Sequence, residues 1–184
     1  AGARDESQIA EQLADLGATL GGGADTDRAS VALRTLSDKA KRDIALSILR
    51  DVLHQPRFDA AIFEREKART IAALKDALTR PDAIAGKAFW AALYPAHPYG
   101  KQATPESVAA LGRDDLAAFY RAHYTVGNAS ITLVGDLSRR DAEQIAERIA
   151  QGLPTGRAPE LPVMPQALTG QDVKEKFAAF GYES

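Results

Sequence analysis

Three histidines, His54, His97 and His123, are the only imidazoles in the chain. No two of them lie within helical reach of each other, so they form no two-histidine metal motif of the kind a catalytic zinc site uses. Each reads as structural: His54 at a helix end, His97 between prolines, His123 beside Tyr124. With no cysteine in the sequence, thiolate ligands, disulfides and cysteine nucleophiles are all excluded. The run Gly21-Gly22-Gly23 invites comparison with a phosphate cradle, but such loops lead directly into a helix and usually carry a lysine. Here Asp25 and Asp27 follow, and their charge would repel a phosphate. The glycines therefore read as the loop of a hairpin. Leu133-Val134-Gly135-Asp136 lacks the other glycines of a dinucleotide-binding turn. No serine stands in a nucleophile elbow. Glu64 and Glu66, interleaved with Arg65, Lys67 and Arg69, have the mixture of a solvated helix face with local ion pairs.

Around these residues the chain has the make-up of an ordinary globular protein. It has 184 residues, 45% of them hydrophobic and 26% charged, which is enough to bury a core without covalent staples. Its net charge of −2 gives no electrostatic reason to expect nucleic acid or an anionic membrane as partner. The apolar runs are too short for a membrane span, so no membrane insertion is expected. Ala1 stands directly before a helix start with no leader pattern, and the expectation is a polypeptide that extends further upstream.

The elements that must position any site follow from hydrophobic period and end signals. Asp5 and Gln8 form a capping-box pair ahead of Ile9, Leu13 and Leu16, with Gly17 as the stop. Ala18 to Leu20 and Ser30 to Leu36 read as two strands joined around the glycine and aspartate stretch. Ser37 is the expected cap of a second helix that ends before Pro56. A third helix starts near Asp59, with Ile62, Phe63, Ile71, Leu74 and Leu78 inward. A fourth, with Ile84, Phe89, Trp90 and Leu93, follows the break at Arg80-Pro81-Asp82. Tyr94 to Gly100 is too rich in proline for regular structure, and Thr104-Pro105 opens a short helix. Asp114 to Tyr124 reads as a helix with Leu116, Phe119 and Tyr120 inward. Ala129 to Val134 reads as a strand turned by Gly135-Asp136, and Ser138 as the cap of a last amphipathic helix. This order predicts an α+β fold, an antiparallel or mixed sheet with helices packed on one face. Four prolines between Gly152 and Gly170 read as a linker, and the tail bearing Phe177, Phe180 and Tyr182 is too short to assign.

Five segments together resemble one family. Ile9 through Gly17 followed by the glycine-rich hairpin is similar to the region just after the zinc motif of M16 peptidases, the insulinase, pitrilysin and processing-peptidase-like group. Phe63-Glu64-Arg65-Glu66-Lys67 resembles that family's F-x-R-E-K/R helix, and Ala92 through Gly100 its LYP-x-HPYG loop. Asp115-Leu116, Phe119-Tyr120 and Tyr124 resemble DL-x-x-FY-x-x-x-Y, and Asn128 with Val134-Gly135-Asp136 resembles N-x-x-x-x-x-VGD. The segments keep the family's order and spacing across residues 6 to 154.

The resemblance implies an M16 (processing-peptidase-like) α+β unit over residues 1–154, truncated at its N-terminus. Residues 155–184 would then be a linker and the beginning of a second unit, or a disordered tail. Active members carry His-x-x-Glu-His, whose histidines bind zinc and whose glutamate is the base; that motif would fall before Ala1. Their third ligand is a glutamate seven residues after the glutamate of the RE helix. With Glu66 in that register the ligand position is Ala73, whose methyl group cannot bind a metal. Asp76, or Glu66 itself, serves only if the Phe63 to Lys67 match is shifted. Gly21-Gly22 also stands where active members tend to have Asn-Ala beside the substrate. The resemblance thus implies a non-catalytic copy with no zinc of its own, partnered by an active, zinc-bearing half or subunit and helping to enclose an extended peptide substrate. Gly21, Gly22, Gly23 and Ala24 are the peptide-binding candidates, by strand addition. Two alternatives stand beside this reading: an active M16 zinc endopeptidase with its motif upstream, and a non-catalytic assembly subunit. The high alanine and arginine content points to a GC-rich bacterial genome and a periplasmic or cell-envelope location.

Overall fold

Asp5 caps the first helix as its spacing predicts: its carboxylate accepts from the Gln8 N–H, and the Gln8 side chain accepts from the Asp5 N–H. In the computed structural model, which describes residues 1–163, this helix, α1, spans Glu6–Asp15. Gly17 ends it with φ +62°, a left-handed conformation that glycine adopts without strain. Strand β1 (Thr19–Ala24) and strand β2 (Ala29–Arg34) follow as an antiparallel pair, with Leu20 opposite Leu33 and Gly22 opposite Val31. Next come helices α2 (Lys39–His54), α3 (Ala60–Ala77) and α4 (Pro81–Leu93), then a 3₁₀ turn at Pro98–Gly100. Helices α5 (Pro105–Ala110), α6 (Arg113–His123) and α7 (Arg139–Ala150) complete the order. The chain is therefore α+β and helix-rich, with a small two-stranded antiparallel sheet among the described residues.

The described residues fall into two compact units, residues 1–62 with 112–159, and residues 63–111 with 160–163. The first holds two apolar clusters. Leu13, Ala18, Ala45 and Ile48 form one, and Leu49, Ile145 and Ile149 form the other; Leu20 and Leu33 pack against both. The period-2 face of the hairpin thus lies on α2 and α7, the one-sided packing expected of such a sheet. Ala45 and Ile48 are fully buried, and each large aliphatic side chain removed from water in this way stabilises the unit by about 1.5–3 kcal/mol. The Tyr120 hydroxyl donates to the Leu53 carbonyl oxygen at 2.6 Å, and Arg4 pairs with Asp51. The second unit is organised around rings: Trp90 stacks on Tyr94 at 5.6 Å, and Tyr94 meets Tyr99 edge-on at 5.4 Å.

Five expectations are corrected. The three glycines are not a loop but the body of β1, paired with Ala32, Val31 and Ser30. The turn is made instead by Asp25, whose carboxylate accepts from the N–H groups of Asp27 and Arg28, a local bond that closes the reversal without glycine. The cap of α2 is Asp38, accepting from the Lys41 N–H, and not Ser37. Ala129 to Val134 forms no strand: Leu133 packs on the α7 cluster, but no neighbouring backbone among the described residues supplies a ladder, and a strand exists only by pairing. Phe119 is 56% exposed rather than inward, because it lies along the outside of α6 against the His123 ring at 4.3 Å. Leu78, expected inward on α3, is 51% exposed, because it falls just past the last turn of that helix, which ends at Ala77. The linker expected from residue 155 has no helix or strand as far as residue 163, apart from a parallel bridge between Gly127 and Arg157. The remainder of that expectation, and the Phe177 to Tyr182 tail, fall outside the described residues.

Candidate functional site

The peptide-binding candidates sit together on β1. Gly21, Gly22, Gly23 and Ala24 are all exposed, and β1 has β2 on one side and no other strand beside it among the described residues. Without side chains the three glycines leave the strand bare: a Cβ at Gly21 would meet nothing within 4 Å, and one at Gly22 would only touch the Ser30 carbonyl oxygen at 3.4 Å. An open strand edge offers backbone N–H and C=O groups to an extended chain, and the absence of side chains lets that chain approach closely. Asp25 fixes the end of this edge. Its carboxyl is held below the usual aspartate range, first by the N–H of Asp27 and then by Arg28, whose guanidinium lies at 3.1 Å.

The residues relevant to a metal lie on α3, in the other unit. Glu66 is exposed and paired with Arg65 at 3.0 Å and Arg69 at 3.8 Å, the ion-paired solvated face that its neighbours predict. Ala73, seven residues on, falls two turns along the same face, and it too is exposed. Its side chain is a methyl group, which cannot bind a metal. Asp76, one turn further toward the end of the helix, faces Arg80 at 3.5 Å.

Each histidine has a structural contact. His54 Nε2 lies 2.8 Å from the Ile149 carbonyl oxygen, which fixes that nitrogen as the protonated one and ties the end of α2 to α7. His97 is 5% exposed. Its Nδ1 accepts from the Tyr99 N–H at 3.3 Å as the cap of the 3₁₀ turn, its ring meets Tyr99 edge-on at 4.4 Å, and its Nε2 has no hydrogen-bond partner among the described residues. The ring of His123 packs on Phe119, and its backbone carbonyl accepts from Asn128. Among the described residues no group of three His, Asp or Glu side chains could hold a metal ion. The described residues therefore do not fit a zinc ion.

Sequence reasoning placed His97 in an irregular loop without seeing its bond to Tyr99 or the tight packing of Gly100. A histidine followed by proline is a usable cap signal, because the proline sets the first position of the turn.

Three comparisons bear on this arrangement. The model of the peptidase M16 inactive domain matches residues 110–176. A Rickettsia felis protein named an uncharacterized zinc protease is 23% identical over 155 residues, which is 83% of this chain and 37% of that protein. The crystal structure of a peptidase M16 inactive domain from Pseudomonas fluorescens superposes with a TM-score of 0.84 at 36% identity, covering 89% of this chain and 41% of the other. The chain thus spans less than half the length of either relative.

Proposed function

The chain belongs to the M16 peptidase family, and we propose that it serves as a non-catalytic half, helping to enclose and bind an extended peptide while an active, zinc-bearing partner cleaves it. The observation that carries this reading is Ala73, a methyl group two turns from Glu66 on the exposed face of α3. In the register that the resemblance gives, a working member needs a third zinc ligand there, because three protein ligands are the usual minimum for a catalytic zinc. Both the inactive-domain match and the inactive-domain structure agree with that reading. Residues 1–154 are, on this account, most of the first α+β unit of such a half. The family's zinc and its base would be supplied by the partner; this chain would supply wall and recruitment.

The glycine-bearing edge of β1 is the recruiting element. A peptide lying beside Gly21 to Ala24 gains backbone hydrogen bonds that are indifferent to its sequence, which suits a protein that must hold varied substrates. Valine at both Gly22 and Gly23 keeps the hairpin in a residue type that strands favour but lines the edge with branched side chains. Titrating a fluorescent extended peptide into the assembled pair should show a Kd weakened by at least about tenfold in this double variant, the loss of roughly 1.4 kcal/mol. An unchanged Kd, with circular dichroism showing the hairpin retained, would remove β1 from the binding role.

A further inference from the structure

A pocket between α2 and α7, within the first unit, is lined by two cations that make no direct ion pair among the described residues. Arg50 comes from α2 and Arg148 from the last turn of α7, with Leu46, Ile145 and Ile149 as its apolar wall and Asp43 at its side. Neither guanidinium makes an ion pair or a side-chain hydrogen bond among the described residues. Exposed arginines on helices commonly find an acidic neighbour one turn away, as Arg139 does with Glu143 at 2.9 Å. The one carboxylate in the lining is already committed: Asp43 accepts from Lys39 at 2.8 Å and has Arg42 at 3.9 Å. The Lys39 bond is the first cause holding the Asp43 carboxyl below its ordinary range, with Arg42 and, at longer range, Arg148 adding to it, so this one negative charge is outnumbered by the cations around it.

We propose that this pocket is a binding site for a phosphate dianion. Two guanidinium forks carry the two charges that a phosphate needs neutralised, and each can donate two parallel N–H groups to its oxygens. The pocket's volume of about 30 Å³ is room for roughly two water-sized atoms, so it takes the oxygens of an oxyanion and leaves any organic substituent outside. Ile145 and Ile149 are each 6% exposed, and such a dry wall on one side strengthens the charge–charge attraction. The site stands on α2 and α7 alone and is independent of the peptide-binding reading of β1.

Phosphate titrated into the ¹⁵N-labelled protein at low ionic strength tests it, followed through the arginine Nε–H signals. The expected result is a saturable shift of Arg50 and Arg148 on a single isotherm, with Arg139 unmoved. The Arg50→Gln, Arg148→Gln double variant should weaken binding by at least about tenfold while its amide spectrum keeps the native dispersion. Phenyl phosphate separates the two sources of the ligand: tighter binding than inorganic phosphate assigns an organic phosphomonoester, and equal binding assigns the free ion. Shifts that rise linearly without saturating and are as large at Arg139 would overturn the proposal, since that is the behaviour of a diffuse counter-ion cloud.

Discussion

A Cβ on Gly100 would overlap the carbonyl oxygen of Tyr94 and crowd that of Trp90 at 3.3 Å. Its φ is not positive, so space rather than backbone angle demands glycine there. His97 works on the same few residues, with its Nδ1 on the Tyr99 N–H and its ring against Tyr94 and Tyr99. The HPYG stretch that marks the family is, in this chain, a packing device that folds the chain back onto the end of α4. Gly100→Ala should therefore destabilise the protein by about 1–3 kcal/mol, as overpacking does, whereas Gly21→Ala, with open space around its Cβ, should stay within about 0.5 kcal/mol. Urea denaturation of the two variants checks the contrast, and equal effects would show that the packing at Gly100 is misjudged. At this scale the sequence showed that the motif was present but not what it did, because the Tyr94 carbonyl oxygen approaches Gly100 only once the turn has closed.

Helices were the most legible elements, because their start signals are local. Asp5 with Gln8, Thr104 ahead of Pro105 and Ser138 ahead of α7 all cap where the residues predict. The exception, Asp38 in place of Ser37, is a competition between adjacent good caps that only φ and ψ settle. Ser138 makes two bonds, accepting from the Asp141 N–H at 3.1 Å and donating to the Asp141 carboxylate at 2.6 Å. That second bond, the largest cause, holds the Asp141 carboxyl below its ordinary value of 3.8. A carboxyl depressed in the folded state stabilises above the unfolded value, and the contribution is lost as pH falls through the lower folded one. Ser138→Ala should thus cost more at neutral pH than at a pH below the lowered folded value, where Asp141 is protonated in both states. Thermal melts of both proteins across that range measure it, and a penalty independent of pH would deny the carboxylate its part. Strands were less legible for the opposite reason. Gly21 to Gly23 look like a loop by propensity, yet Ser30 to Ala32 opposite them hold them in a ladder. Ala129 to Val134 has the alternation of a strand, but among the described residues nothing pairs with it. Pairing is non-local, and alternation alone does not report whether a partner is present.

For the molecule as a whole, the α+β class, the helix order and the family were readable from five spaced segments, and the comparisons agree with them. Of the proposed site, the sequence offered only the alanine at position 73, on the face of α3 that carries Glu66. The two clusters that unite α1, the hairpin, α2 and α7 describe a wall rather than a reaction centre. The Rickettsia relative is named a zinc protease, and a polypeptide longer than this chain has room for a metal site of its own, so metal content separates the two readings most directly. The decisive measurement is elemental analysis of the protein purified at full length, equilibrated with zinc and then freed of loose metal. The non-catalytic account predicts well under about 0.1 zinc per chain, because Ala73 leaves the ligand set one short. About one zinc per chain would contradict it and make this protein a peptidase in its own right.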